Sequence, residues 1–216
     1  MADERPPIPA GILRGRVVAI ARRLAPDTAP AVARALAESG VGAVEITLND
    51  PVEGALATLR AVARAAEGFE AGAGTVLSIE AAQAAIDAGA TFLVMPHTDA
   101  RLIEWAAGRA ISTLPGAATP TEALVAWRAG AAAIKVFPAS VLGPAFIREL
   151  HGPFPDLPLV PTGGVTADSA AAFIEAGAIA VGLGGWLLGD GEPGGVTDRA
   201  RRATEAVAAA RERTKT

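Results

Sequence analysis

The sequence predicts a (β/α)8 barrel, one domain over residues 1–216 with a short N-terminal tail, and three observations carry that prediction. First, one join recurs: "AESGVGAVEI", "IDAGATFLVM", "WRAGAAAIKV" and "IEAGAIAVGL" each pass from an Ala-rich amphipathic run through a glycine into a short β-branched run, with "AAGRAISTL" a weaker copy. A recurring join is architecture before it is anything else. Second, filling the gaps gives eight strand-then-helix units in 216 residues, close to the size of about 200–250 residues at which such barrels form one domain. Third, the rival open doubly wound sheet would carry GxGxxG after its first strand, whereas here the first strand is followed by "RRLAPD".

The elements follow in order. The start, "MADERPPIPAG", is acidic and proline-rich, unlike a signal peptide, and reads as a ragged tail through about Arg14. Strand 17–21 leads to a helix over 28–39, announced by "PDTAP". Strand 43–47 precedes helix 52–66, strand 70–74 precedes helix 79–88, and strand 92–95 precedes helix 100–107. Strand 110–114 leads to helix 121–129, signposted by "TPTEA". Strand 133–137 stops at Pro138 and is followed by helix 145–150. Strand 159–162 leads to helix 168–176 through "TADSA", and strand 179–182 leads to helix 198–213. Asp, Thr and Ser at these starts are the side chains that accept from free helix N–H groups. Gly40, Gly89, Gly108, Gly130 and Gly177 fall where a helix end asks for a left-handed residue.

Composition bounds the function. Hydrophobic residues are 51% of the chain but aromatics only 4%, so small side chains dominate and favour close helix-on-sheet packing. A net charge of −4 argues against a nucleic-acid binder, which would show a basic face. It leaves room for an anionic small molecule held by local positive groups. With no cysteine, disulfides and thiolate chemistry are excluded, and a cytoplasmic setting suits the chain. No apolar run reaches the ~18 residues of a membrane helix, so no membrane partner is expected.

Strand alternation then assigns faces. In "AVEITL", Val44 and Ile46 point to the helices, leaving Ala43, Glu45 and Thr47 inside; in "AAIKVF", Ile134 and Val136 point outward, leaving Ala133, Lys135 and Phe137 inside. A carboxylate and an amine thus face one interior. A buried structural ion pair is the plain alternative. Against it, only two of the 19 Lys plus Arg are lysines, Lys135 and Lys215, so the chain fills other cationic positions with Arg. Lysine differs from Arg in being able to lose its proton. Apolar surroundings disfavour the ammonium form; the neutral amine attacks a ketone to give a Schiff base, and a carboxylate beside it moves the protons. Lys135 and Glu45 are therefore the candidate catalytic residues.

Three Gly-rich stretches follow strands: "GAGTV" (72–76), "PTGGV" (161–165) and "GLGGW" (182–186). The last two, with Gly163, Gly164, Gly184 and Gly185, fall after the seventh and eighth strands, where barrels often bind phosphate through backbone N–H groups. Thr75 offers a hydroxyl to a carboxylate, or a cap to the next helix; Arg22, after the first strand, offers charge. His97 and His151 have no HxH or HExxH spacing, so no metal is expected; His97 stands at a strand end, and His151 reads as surface.

The segments "VEITL", "GAGTVL", "MPH", "PGAATPTEA", "IKVFPAS", "GPF" and "PTGGV" resemble, in order and spacing, the bacterial 2-keto-3-deoxy-6-phosphogluconate and 4-hydroxy-2-oxoglutarate aldolase family, including its phosphogalactonate branch. The resemblance runs from about Val17 to Leu188. It implies a class I, cofactor- and metal-independent aldolase that assembles as a homotrimer. Carried over, it makes Lys135 the Schiff-base lysine and Glu45 the acid/base. Thr75, Pro96 and Phe137 would line the pyruvate pocket, Thr162 would stand near the aldehyde end, and Gly163–Gly164 would hold phosphate. Two positions depart from the pattern. Asn49 replaces an Arg that reaches the pyruvate carboxylate, so Arg22 is expected to take that work, as in the phosphogalactonate branch. Gly185 replaces a Ser of the last loop, removing one phosphate hydroxyl. The expected reaction is reversible cleavage of a 2-keto-3-deoxy-6-phospho sugar acid to pyruvate and glyceraldehyde 3-phosphate. Alternatives are cleavage of 4-hydroxy-2-oxoglutarate, a phosphosugar isomerase or epimerase using Glu45 as base, and a catalytically silent assembly barrel.

Overall fold

The computed structural model describes residues 5–48, 51–65 and 68–214. Its strands are β1 (Val17–Ala21), β2 (Ala43–Thr47), β3 (Glu70–Gly74), β4 (Phe92–Val94), β5 (Ser112–Leu114), β6 (Gly116–Ala117), β7 (Ile134–Val136), β8 (Leu159–Pro161) and β9 (Val181–Leu183). All pairings are parallel, in the orders β5-β4-β3-β2-β1-β9 and β6-β7-β8. β5 and β6 are one stave interrupted at Pro115, which has no N–H to give the ladder. Its carbonyl still accepts from Lys135 N at 2.9 Å. A bridge between Thr162 and Gly182 joins the β8 end to β9, and the ring closes as the (β/α)8 barrel.

The helices are α1 (Ala10–Gly15), α2 (Ala29–Glu38), α3 (Val52–Ala63), α4 (Ile79–Asp87), α5 (Ala100–Ala107), α6 (Pro120–Arg128), α7 (Ala139–His151), α8 (Ala167–Glu175), α9 (Gly185–Leu188) and α10 (Pro193–Arg213). Thr119 and Thr166 accept from the backbone of Glu122 and Ser169, the capping that "TPTEA" and "TADSA" announce. Thr28 does not cap α2; its hydroxyl donates to Ala25 O instead. Gly40, Gly89, Gly130 and Gly177 have φ of 82, 101, 101 and 108°, as the joins require. Gly108 stays right-handed, and Ala110 at φ 58° makes that turn. α7 begins six residues before the predicted 145 and carries a kink at Gly143 (φ 70°, ψ 172°).

Two separate cores confirm the alternation. Val17, Ala19, Val44, Ile46, Ala71, Leu93, Ile134, Val136, Leu159, Val181 and Leu183 pack outward against the helices. Val18, Ala43, Phe92, Val94, Leu114, Ala133, Val160 and Ala180 fill the barrel interior.

The predicted ragged tail is a correction, because residues from 5 onward close the N-terminal end of the barrel. Ile12, fully buried, and Ile8 pack into the interior cluster. Gly11 lies so close to Gly42 that a Cβ would strike the Gly42 carbonyl. Arg5 stacks 3.4 Å from the Trp127 ring centroid and donates to Trp127 O and Ala131 O. Among the described residues, no helix is long and apolar enough to cross a membrane.

Candidate active site

Lys135 is the middle residue of β7 and Glu45 the middle residue of β2, and both point inward as predicted. They stand four steps apart around a ring of eight, so they reach across the barrel from opposite walls. Lys135 Nζ stands 3.9 Å from Glu45 Oε2, an ion pair beyond direct hydrogen-bond length. It also lies 5.4 Å from the Phe137 ring centroid, within reach of the negative face. Lys135 is 7% exposed and Glu45 2%.

Glycines make the room for this pair. A Cβ on Gly74 would overlap the Glu45 carboxylate, one on Gly72 would enter the Phe92 ring, and one on Gly182 would meet Thr162. The first two belong to β3 and the third to β9, so they serve as floor space in strands rather than as turns.

Burial pushes the Glu45 carboxyl above its ordinary range; the charges of Lys135 and then Arg22 pull it back only in part. The balance leaves a carboxyl that holds its proton closer to neutrality than an exposed one, the property an acid/base needs.

Above the pair, at the C-terminal ends of the strands, lies a cavity of about 450 Å³ bounded by Arg22, Arg23, Glu45, Thr47, Thr75, Pro96, Lys135 and Phe137. Six of these are sequence-predicted site residues. Thr75 sits at φ 58°, a left-handed conformation that costs a β-branched residue about 1–3 kcal/mol and sets its side chain at the cavity mouth. Arg22 and Arg23 close β1 and are exposed.

The other predicted residues form a second group. Thr162 lies deeper, sharing the interior with Glu45 and Lys135, and its hydroxyl donates to Val160 O at 3.2 Å. Gly163 (φ 95°) lies beside the Phe137 ring and Gly164 (φ 74°) beside Ser140. Gly184 lies against Ile20, and Gly185 opens α9, where a Cβ would meet nothing within 4 Å beyond its chain neighbours and its own helix backbone. Gly184 and Gly185 stand on the neighbouring strand end and do not border the Lys135 cavity.

His97 is exposed and does not border that cavity. His151, read as surface, is half-buried, with Nε2 3.0 Å from Leu157 O. Asn49 lies outside the described residues. Thr47 and Arg23 were not predicted as site residues. The alternation that found Glu45 also turns Thr47 inward, while the conformation that brings Arg23 to the cavity leaves no mark in "ARRL". Among the described residues, no group of three or more His, Cys, Asp or Glu gathers to hold a metal ion.

Residues 9–194 match the family described as "KDPG and KHG aldolase". The chain is 38% identical to the probable 2-dehydro-3-deoxy-6-phosphogalactonate aldolase of Rhizobium meliloti (strain 1021), covering 94% of each protein. Among solved structures it is similar to "Native KDPGal structure" (TM-score 0.85, 35% identity, 91% of this chain and 96% of that one). It is also similar to the KDPG aldolase of Legionella pneumophila, in which pyruvate was captured as a covalent carbinolamine (TM-score 0.75, 25% identity, 93% of this chain and 96% of that one).

Proposed function

The chain belongs to the KDPG and KHG aldolase family, and from that premise we propose that it is a class I, pyruvate-dependent aldolase acting through an imine on Lys135. The observation that carries the proposal is the Lys135–Glu45 pair, 3.9 Å apart at the floor of the 450 Å³ cavity.

The steps follow from the residues present. The Lys135 amine adds to the C2 carbonyl of a 2-keto acid, and loss of water leaves a protonated imine. Glu45 takes the proton of the C4 hydroxyl; the C3–C4 bond breaks, its electron pair moves toward the imine, and an aldehyde departs. The resulting enamine is protonated at C3, and water returns pyruvate and free Lys135. Thr75 and Arg22 hold the carboxylate, with Pro96 and Phe137 packing the pyruvate methylene side. Thr162 stands near the aldehyde end, and Gly163, Gly164, Gly184 and Gly185 offer backbone N–H groups to the distal phosphate.

The substrate proposed is a 2-keto-3-deoxy-6-phospho sugar acid, with glyceraldehyde 3-phosphate as the aldehyde product. The phosphogalactonate name of the Rhizobium relative favours the galactonate epimer. Pyruvate release from both epimers and from 4-hydroxy-2-oxoglutarate tests this. Rapid release from a phosphorylated sugar acid is expected, abolished in Lys135→Arg. Release from none of them, or an undiminished rate in Lys135→Arg, would overturn it.

We further propose a cytoplasmic homotrimer, for which Val141, 79% exposed at the Lys135 end of the barrel, is a candidate contact. Light scattering giving the mass of a single chain would contradict the assembly.

A further inference from the structure

We propose that Arg23 is a specificity-determining residue, the cation that takes the distal phosphoryl group of the substrate. The identity of that substrate rests on the aldolase reading above.

Arg23 has a left-handed backbone, φ 56°. Side chains other than Gly adopt this conformation at a cost of roughly 1–2 kcal/mol, so the position is shaped by more than local preference. Arg23 borders the Lys135 cavity and two adjoining ones, of about 350 and 320 Å³, on either side of the β1 end. Three arginines elsewhere in the barrel are tied to carbonyls: Arg14 donates to Gly68 O, Arg16 to Ile179 O, and Arg199 to Leu187 O and Leu188 O. Arg23, among the described residues, has no hydrogen bond, ion pair or ring contact.

The chemistry assigned so far does not use this charge. Lys135 is consumed by the keto carbon and Arg22 by the carboxylate, which leaves the distal group with backbone N–H donors alone. Gly185 contributes no side chain there. A phosphoryl group carries about −1.5 to −2 charge and calls for a charged, forked donor. Arg23 is placed to provide one. β1 is hydrogen-bonded to β9, with Ala19 paired to Leu183, and a Cβ on Gly184 would lie 3.8 Å from the Ile20 Cβ. The β1 end therefore flanks the Gly184–Gly185 turn. Asp190 borders the 320 Å³ cavity too, but its Oδ1 accepts from Glu192 N at 3.2 Å within its own loop.

The test compares the wild type with Arg23→Gly, which suits the left-handed backbone, and Arg23→Lys, which keeps the charge. Calorimetry with 3-phosphoglycerate and glycerate reads phosphate preference without imine chemistry, since neither is a ketone. Turnover of matched phosphorylated and unphosphorylated 2-keto acids reads it during reaction. Arg23→Gly is expected to fold as well as the wild type. It should lower the phosphorylated-to-unphosphorylated ratio about tenfold in both measurements, the size of one lost charge-assisted hydrogen bond. The loss should fall on KM, with part of the ratio restored by Lys. An unchanged ratio in Arg23→Gly overturns the proposal, and with turnover intact it leaves the aldolase reading standing. A ratio that depends on Arg23 in calorimetry, without turnover of any keto acid, upholds the subsite and sinks the aldolase instead.

Discussion

Glu45 shows how one residue couples chemistry to stability. Burial raises its proton affinity more than Lys135 and Arg22 lower it. The folded protein therefore keeps a proton that the unfolded chain has already released. That stabilisation is complete below the ordinary carboxyl value of about 4.3 and is lost as pH climbs through the raised folded value. Glu45→Gln removes this dependence. The difference in Tm, variant minus wild type, should be small at acid pH and widen toward neutrality; a difference flat with pH would contradict the assignment. Turnover should fall by about 10²–10⁴, the usual contribution of a general acid/base. Both Glu45 and Lys135 were legible in the sequence because strand alternation has a period of two and because lysine is scarce. The left-handed backbones of Thr75 and Arg23 were not legible, since neither residue type signals that conformation.

At the scale of elements, the repeated joins gave the staves and most helices, because a helix end followed by glycine and a β-branched run is a local pattern. What they missed depends on distant contacts. α1 has no amphipathic length of its own; it is held because Ile12 fills the lower end of the barrel and Gly11 fits against Gly42. Ala110 makes a left-handed turn that glycine was expected to make at 108. The glycines of β3 read as a loop motif, yet their work is to leave space for Glu45 and Phe92, visible only once facing side chains are known. Ile12→Ala should destabilise the protein by about 2–5 kcal/mol, as large-to-small changes at fully buried sites do. A denaturation midpoint shifted by much less would mean that the N-terminal segment is a passenger rather than a seal.

The whole molecule supplies what neither residues nor elements contain. With strands about 4.8 Å apart, four steps along an open sheet would hold β2 and β7 about 19 Å from each other. Closure across Pro115 and the Thr162–Gly182 bridge turns that separation into a diameter. Two long side chains then span it to 3.9 Å. The active pair is thus a property of the closed ring, and its chemistry reports directly on the fold. The most direct measurement is incubation with pyruvate and borohydride followed by peptide mass mapping. A stable pyruvate adduct is expected on Lys135 and on no other residue, and it should be absent in Lys135→Arg. A protein left unmodified, or an adduct on Lys215 alone, would contradict the account.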